Sequence, residues 1–362
     1  METKNILFIS YKLCDGGAEK VLSTLANQLS QIGARVSVLL YQRNNNEYIL
    51  DEKVVVLELG NEASHGNSGL LRSLNRMKAI RRVIKQENPN YVIPFLDSMV
   101  RESRLAAVGI NTKVIATVRN SPYQTPSSRI GRVMRNLIIR FCAGVFVQNQ
   151  SQKKYFSESI QKKTFAVPNP VTKELISSKK TYNSDIKHFI TCGRLHQQKN
   201  HKMLIRAFAD AVARYPDISL RIYGEGDMMD NLNNYIYELH MEDYISCMGR
   251  TDDVLSVLLD SDCFILSSDY EGMPNALMEA MAVGLPCIST DCPTGPSELI
   301  ENGSNGILVP VNDSERLTEE ICELINNPDK AITMGQKAKE FITENFSEDI
   351  IVRNLLKNLE AI

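Results

Sequence analysis

The sequence predicts an α/β protein of two doubly wound domains, and three observations carry that expectation. At 362 residues the chain is long enough for two domains of roughly 150–200 residues each. Short apolar runs alternate along nearly all of it with stretches of helical periodicity, the order of a parallel sheet covered by helices. A strand, a glycine-containing loop and a helix open the chain at residues 4–32 and recur at 187–214, after a polar segment, Thr172 to Asp185. Polar, turn-rich segments of that kind separate packed elements. The expected domains are 1–170 and 186–346, joined by a linker over 171–185.

Residues 4–10 form an apolar run suited to a central parallel strand. The loop YKLCDGG follows, then a helix over about 18–32 whose Val21, Leu22, Leu25, Ala26 and Leu29 keep helical spacing. Strands are expected at 36–40 and 54–59. Gly16-Gly17 is not the GxGxxG dinucleotide fingerprint, which argues against a nicotinamide dehydrogenase. The pair reads as a tight turn, or as a place where backbone N–H groups approach a diphosphate. Further strands are expected at 91–96, 113–118, 144–148 and 165–167, and further helices at 102–108 and near 152–159.

Two helices in this half are strongly basic. Residues 70–85 carry Arg72, Arg76, Lys78, Arg81, Arg82 and Lys85 beside an apolar stripe of Leu71, Leu74, Met77, Ile80 and Ile84. Residues 129–141 carry Arg129, Arg132, Arg135 and Arg140 among Ile130, Val133, Met134, Leu137 and Ile138. Residues 1–170 hold 24 Lys and Arg against 12 Asp and Glu, a charge of +12, while the remainder holds −14. One reading has both stripes facing the sheet and the cations in water. The other, which two such helices in one basic half favour, is peripheral contact with anionic membrane. Aromatic residues do not interleave with the basic ones, so nucleic acid is not the expected partner.

The second half begins with HFITCGRLHQQKN at 188–200. Its strand ends at Cys192, and Arg194 and Lys199 lie in the loop before the next helix, where both can reach one diphosphate. A strand at 219–223 runs into GEG at 224–226, and one at 244–248 into Gly249-Arg250. The apolar run Cys263 to Leu266 leads into SSDYEGMPNALME, residues 267–279, and a helix over 276–283. Here Gly272 allows close backbone approach and Pro274 suits a first helical position. The helix start would face an anion, and a carboxylate such as Glu279 can accept from two vicinal hydroxyls. Glu271 and Glu279 taken singly read as a loop and a solvated helix residue; together with the helix start they read as a site for a sugar nucleotide.

No apolar run approaches the ~20 residues of a membrane span, and the N-terminus runs directly into a strand, without the pattern of a secretory signal. Eight scattered cysteines contain no CxxC pair, the pattern of reduced buried thiols in the cytoplasm.

GGAE at 16–19, GRLHQQKN at 193–200, GEG at 224–226, the Glu271/Glu279 pair and GILVP at 306–310 occur in family order along nearly the whole chain. In this the sequence resembles family-4 retaining glycosyltransferases of bacterial surface-polysaccharide and glycan assembly. The resemblance implies a GT-B fold, two Rossmann-like domains facing a cleft, with acceptor bound by the N-terminal domain and sugar nucleotide by the C-terminal one. The last helix, about 347–362, would cross back onto the N-terminal domain. It also implies that Arg194 and Lys199 contact the donor diphosphate, Glu279 the ribose and Glu271 the transferred sugar. Gly272, Met273, Pro274 and Asn275 would line sugar and phosphate, with Gly193 and Gly226 nearby, Arg250 by the base, and Gly16 and Gly17 approaching the phosphates from the other domain. The implied reaction is front-face transfer with retention from a UDP-sugar to a lipid-linked or growing glycan, with no metal or other cofactor.

One departure stands out. Many relatives place a histidine after the strand at 113–118, and this chain has Arg119-Asn120 there; its histidines are His65, His188, His196, His201 and His240. Arg119 or Asn120 is then the expected contact to donor sugar or acceptor. Three other readings stay open on sequence: transfer to a soluble acceptor, a sugar-nucleotide epimerase of the same fold, and a non-catalytic partner subunit.

Overall fold

Asn5–Ser10 forms β1, every residue after the first buried, at the switch point of a seven-stranded parallel sheet. In the computed structural model, which describes residues 4–14, 16–44, 47–60 and 69–362, β1 is followed by α1 (Gly17–Gln31), β2 (Arg35–Leu40) and β3 (Val55–Glu58). Then come α2 (Gly69–Glu87), β4 (Tyr91–Pro94), α3 (Asp97–Ala106), β5 (Lys113–Val118) and α4 (Arg129–Ile139). The sheet closes with β6 (Gly144–Val147), α5 (Gln150–Lys154), α6 (Glu158–Gln161) and β7 (Thr164–Ala166). The strand order is β3-β2-β1-β4-β5-β6-β7. Leu7 lies opposite Ser37 on one side and Val92 on the other, so connections leave β1 in opposite directions along the sheet. Ligands of such sheets bind at this reversal, outside the carboxyl ends of the strands.

The second unit, Val171–Ser347, opens with α7 (Lys173–Ser177) and β8 (His188–Cys192). It continues through α8 (His201–Val212), β9 (Ser219–Tyr223), α9 (Met229–Glu238), β10 (Ile245–Gly249), α10 (Val254–Leu259) and β11 (Cys263–Leu266). The remainder is α11 (Asn275–Val283), β12 (Cys287–Thr290), β13 (Ile307–Val309), α12 (Ser314–Asn326) and α13 (Pro328–Phe346). Its parallel sheet runs β10-β9-β8-β11-β12-β13, reversing at β8 and β11. Phe189 and Phe208 meet edge to face, ring centroids 5.3 Å apart, in the core between sheet and α8.

The last helix, α14 (Glu348–Ala361), belongs to the first unit. It packs on α1 and buries Ile351, Val352, Leu355 and Leu359. Tyr91 Oη donates to Leu359 O at 2.8 Å, and Lys4 Nζ meets the Glu360 carboxylate at 2.7 Å.

Three expectations change. Residues 171–185 are packed on the second unit rather than strung as a linker: Leu175 is buried, Lys180 Nζ donates to Leu259 O at 2.9 Å, and Tyr182 Oη donates to Gly284 O at 3.0 Å. A polar composition concealed these side-chain-to-backbone contacts. The helix expected at 102–108 is α3, five residues earlier, because extended Leu96 starts it. The helix near 152–159 divides into α5 and α6.

Candidate active site

Within the second unit the two loops at the sheet reversal meet. After β8 the chain passes Gly193 and Arg194 into a short 3-10 turn, Gln197–Lys199, and then Asn200, which is left-handed at φ 47° and caps α8. After β11 it passes Ser267 to Pro274 into α11. Asp269 N–H donates to Gln198 O at 2.8 Å, Gln198 Nε2 to Tyr270 O at 2.7 Å, and Ser267 Oγ to Lys199 O at 2.7 Å. Asn200 Nδ2 also donates to Asp269 Oδ1 at 2.7 Å. Four hydrogen bonds therefore hold one loop against the other.

This clamp brings Lys199 and Glu271 together. Lys199 Nζ lies 2.7 Å from Glu271 Oε1, and the side chains are only 16% and 9% exposed. Ser268 Oγ donates to the same carboxylate oxygen at 2.6 Å, and Thr294 Oγ1 donates to Glu271 O. Behind them Gly295 is left-handed at φ 101°, and a Cβ there would come within 2.9 Å of Gly272 O. Only a glycine lets the 291–296 turn support the Glu271 loop so closely. Ser268, Thr294 and Gly295 complete the site and were not singled out from sequence. Two sequence signals mark them, a serine pair before the motif and a turn-rich string after β12.

Gly272 and Met273 are buried beside Glu271. Pro274 is extended at φ −75°, ψ 105° and caps α11, so the helix begins at Asn275 and Pro274 is not its first residue. Met278 N–H is bonded to Pro274 O at 3.1 Å; the N–H groups of a helix ahead of that point have no intrahelical acceptor and favour an anion. One turn on, half-buried Glu279 stands by the end of β8. Burial, with the Glu279 charge second, pushes the Cys192 thiol up to about 12.

The other predicted residues fall around this centre. A Cβ on Gly193 would touch Lys199 Cε at 3.2 Å, and one on Gly226 would lie 2.1 Å from Leu195 O. Gly226 thus explains itself as close packing of the GEG loop on the 193–195 loop. Arg194 is exposed, with no side-chain partner among the described residues. Arg250, just beyond left-handed Gly249, lies 3.3 Å from Asp252. His196 Nδ1 accepts from Gln198 N–H at 3.2 Å, the work of a loop cap. His201, buried at the start of α8, has its pKa lowered to about 3 by burial first and by Lys199 second.

The first unit carries its own candidates. Gly16 caps α1, and a Cβ there would lie 1.9 Å from Glu19 Oε2. The carboxylate of Glu19 is therefore folded back over the helix start, as a third-position glutamate does in a capping box. Arg119 follows β5. Its Nη2 donates to Asn169 Oδ1 at 2.7 Å, its Cζ sits 4.4 Å from the Phe95 ring centroid, and its Nε is buried without a partner. Burial lowers its pKa to about 9. Asn120 Oδ1 is taken by Ser121 N–H at 2.7 Å. His65 lies outside the described residues. Among the described residues no group of three or more His, Cys, Asp or Glu side chains is placed to hold a metal, and no helix is long and apolar enough to cross a membrane.

Comparison with known proteins assigns the family. Residues 172–341 match the model for glycosyl transferases group 1, and residues 15–175 match that for glycosyltransferase family 4. The chain belongs to the group 1 and family 4 glycosyltransferases. An uncharacterized glycosyltransferase of Haemophilus influenzae is 27% identical over 338 residues, 93% of this chain and 94% of that protein. A Campylobacter jejuni glycosyltransferase is 26% identical and covers 92% of both chains; it is named as an alpha-1,4-N-acetyl-D-galactosaminyltransferase acting on a GalNAc-containing diNAcBac-PP-undecaprenol. Among solved structures, Anabaena HepE in complex with UDP and glucose superposes with a TM-score of 0.83 at 20% identity, over 99% of this chain and all of that one. Sucrose-phosphate synthase from Thermosynechococcus elongatus gives 0.84 at 16% identity, over 99% and 98%. Both place this glycosyltransferase in the GT-B fold.

Proposed function

We propose that this glycosyltransferase moves a sugar from a UDP-hexose or UDP-N-acetylhexosamine to a lipid-linked or growing glycan in surface-polysaccharide assembly, with retention at the anomeric carbon. The observation that carries the reading is the Lys199–Glu271 pair, clamped at the sheet reversal beside the start of α11. Arg194, exposed and unpaired among the described residues, and Lys199 hold the donor diphosphate. Glu279 accepts from the ribose hydroxyls, Glu271 from the transferred sugar, and the backbone of Gly272 to Asn275 lines sugar and phosphate. The bond between the anomeric carbon and the diphosphate oxygen breaks as the two cations and the helix start stabilise charge on the departing UDP. The acceptor hydroxyl bonds to the same face, and its proton passes to the leaving phosphate oxygen. No metal or other cofactor takes part in this scheme.

The Campylobacter relative's named lipid-diphosphate substrate supports a lipid-linked acceptor, and the UDP and glucose bound by HepE support the donor class. We assign acceptor binding to the first unit, with Arg119 reaching substrate, and place the protein in the cytoplasm at the inner membrane face, held by the basic helices. A thermal-shift panel of UDP, GDP, ADP and several UDP-sugars tests the donor site. A ligand at 100 times its Kd stabilises by about 2.7 kcal/mol, so UDP and one UDP-sugar are expected to raise Tm. Glu279→Ala is expected to weaken UDP binding, whereas Glu271→Ala keeps it and loses transfer. Equal UDP affinity for Glu279→Ala and the parent would remove the ribose assignment.

A further inference from the structure

Helix α4 is inside out. Its apolar stripe does not face the sheet: Ile130, Val133, Met134 and Leu137 are 77%, 66%, 48% and 46% exposed, and Phe141 just beyond the helix is 65% exposed. Their spacing of three, four and seven residues sets them on one side of the helix. The side turned inward is held by a cation. Arg135 is buried, 3.5 Å from Asp97 Oδ2, donating to Thr125 O and, at 3.2 Å, to Pro122 O, with its guanidinium 5.2 Å from the Tyr155 ring centroid. Arg132 donates to Pro126 O and Ser127 O at 2.8 and 2.7 Å. These bonds fix the rotation of α4 about its own axis, so the apolar row stays outward.

The charge along this stretch of chain is of one sign. From Ser103 to Ser157 the chain contains no Asp or Glu and nine Lys and Arg. Arg129 and Arg140, both exposed, flank the stripe. Helix α2 is unlike it. Ile80 and Ile84 are buried, Arg81 donates to Ala106 O and Val108 O at 2.8 and 2.6 Å, and Arg76 sits 5.3 Å from the Tyr41 ring centroid. Its large exposed apolar side chains, Leu70, Leu71 and Leu74, are confined to its first two turns.

We propose that α4 is a membrane-inserting helix, lying in the plane of an anionic bilayer with Ile130, Val133, Met134, Leu137 and Phe141 among the acyl chains and Arg129 and Arg140 at the phosphates. This deepens the peripheral placement proposed above and rests on it, but not on the identity of donor or acceptor. A contiguous exposed apolar row marks a contact surface. Exposed flanking cations, in a stretch of chain without carboxylates, select an anionic lipid surface. Such seating would keep the first unit at the depth where a lipid-linked acceptor presents its sugar.

The chain has no tryptophan, so Met134→Trp supplies a single reporter. With vesicles of phosphatidylcholine and one-third phosphatidylglycerol, its emission is expected to shift to the blue and to be quenched by brominated acyl chains. Val133→Glu with Leu137→Glu is expected to lower vesicle binding by sedimentation roughly ten-fold or more. Ile49→Glu, at a residue 89% exposed elsewhere on the first unit, is expected to bind as the parent does. All variants should keep the parent's UDP thermal shift, which reports the donor reading separately. Unshifted Met134→Trp emission, or a double variant that binds vesicles like the parent, would overturn the insertion. A parent dimer without lipid, broken by the double variant, would give the row to a second copy and overturn it equally.

Discussion

Lys199 and Glu271 are each placed by the other, so neither can be altered alone without cost. Removing one member of a largely buried ion pair leaves a desolvated charge, at a penalty of about 3–5 kcal/mol. Lys199→Met leaves the Glu271 carboxylate with the Ser268 hydroxyl as its side-chain donor among the described residues and is expected to cost about 3 kcal/mol in urea unfolding. The double variant Lys199→Met/Glu271→Gln removes both charges and should recover most of that loss. Strict additivity would show that the pair is not coupled. His201 gives a pH signature in the same unit. Its folded pKa of about 3 lies below the ordinary value near 6.5, so the unfolded chain binds the extra proton between those limits. Stability is full above pH 6.5 and falls as the pH drops towards 3. From pH 7 to 5 the parent should lose about 2 kcal/mol more than His201→Gln; parallel slopes would deny that His201 stays neutral in the fold.

At the scale of elements, the site depends on loops lying backbone to backbone. A Cβ on Gly224, which sits at φ 149°, would come within 1.8 Å of Gly193 O. Gly224→Ala must therefore push the 193–195 loop away from its place beside Lys199. The expected cost is on the order of 3 kcal/mol, measured by urea unfolding, together with weaker UDP binding by calorimetry; a parent-like variant would show that the loop yields freely. What sequence reveals follows the range of the contact. Strand β11, the glutamates and the start of α11 lie within one short string, and their apolar run, glycine and helix periodicity were legible. Ser268, Thr294 and Gly295 gain meaning only when β12 lies beside β11 and brings a distant turn under Glu271. The direction of α4 was hidden for a related reason. Helical spacing shows that Ile130, Val133, Met134 and Leu137 share a face, but which face turns inward is decided by Arg135 finding Asp97 and the carbonyls at Pro122 and Thr125.

For the whole molecule, chain order and unit membership part company at α14. The first unit is completed by the last residues of the chain, which follow the entire second unit. Ile351, Val352, Leu355 and Leu359 are buried, and α14 also supplies Leu359 O to Tyr91 and the Glu360 carboxylate to Lys4. Burying a residue of that size contributes about 1.5–3 kcal/mol, so four contribute about 6–12 kcal/mol, as much as the 5–15 kcal/mol by which a typical domain is stable at all. The first unit should therefore not hold together without α14, while the second, whose core lies wholly within Val171–Ser347, should. A chain ending at Ser347 is expected to lose amide-exchange protection in β1 and β4 and to keep it in β8 and β11. Added as a separate peptide, residues 348–362 should restore part of the protection in β1 and β4, because the helix carries its own apolar stripe and needs no covalent link to find α1. Unchanged protection of β1 in the truncated chain would make α14 a covering of the first unit rather than part of its core.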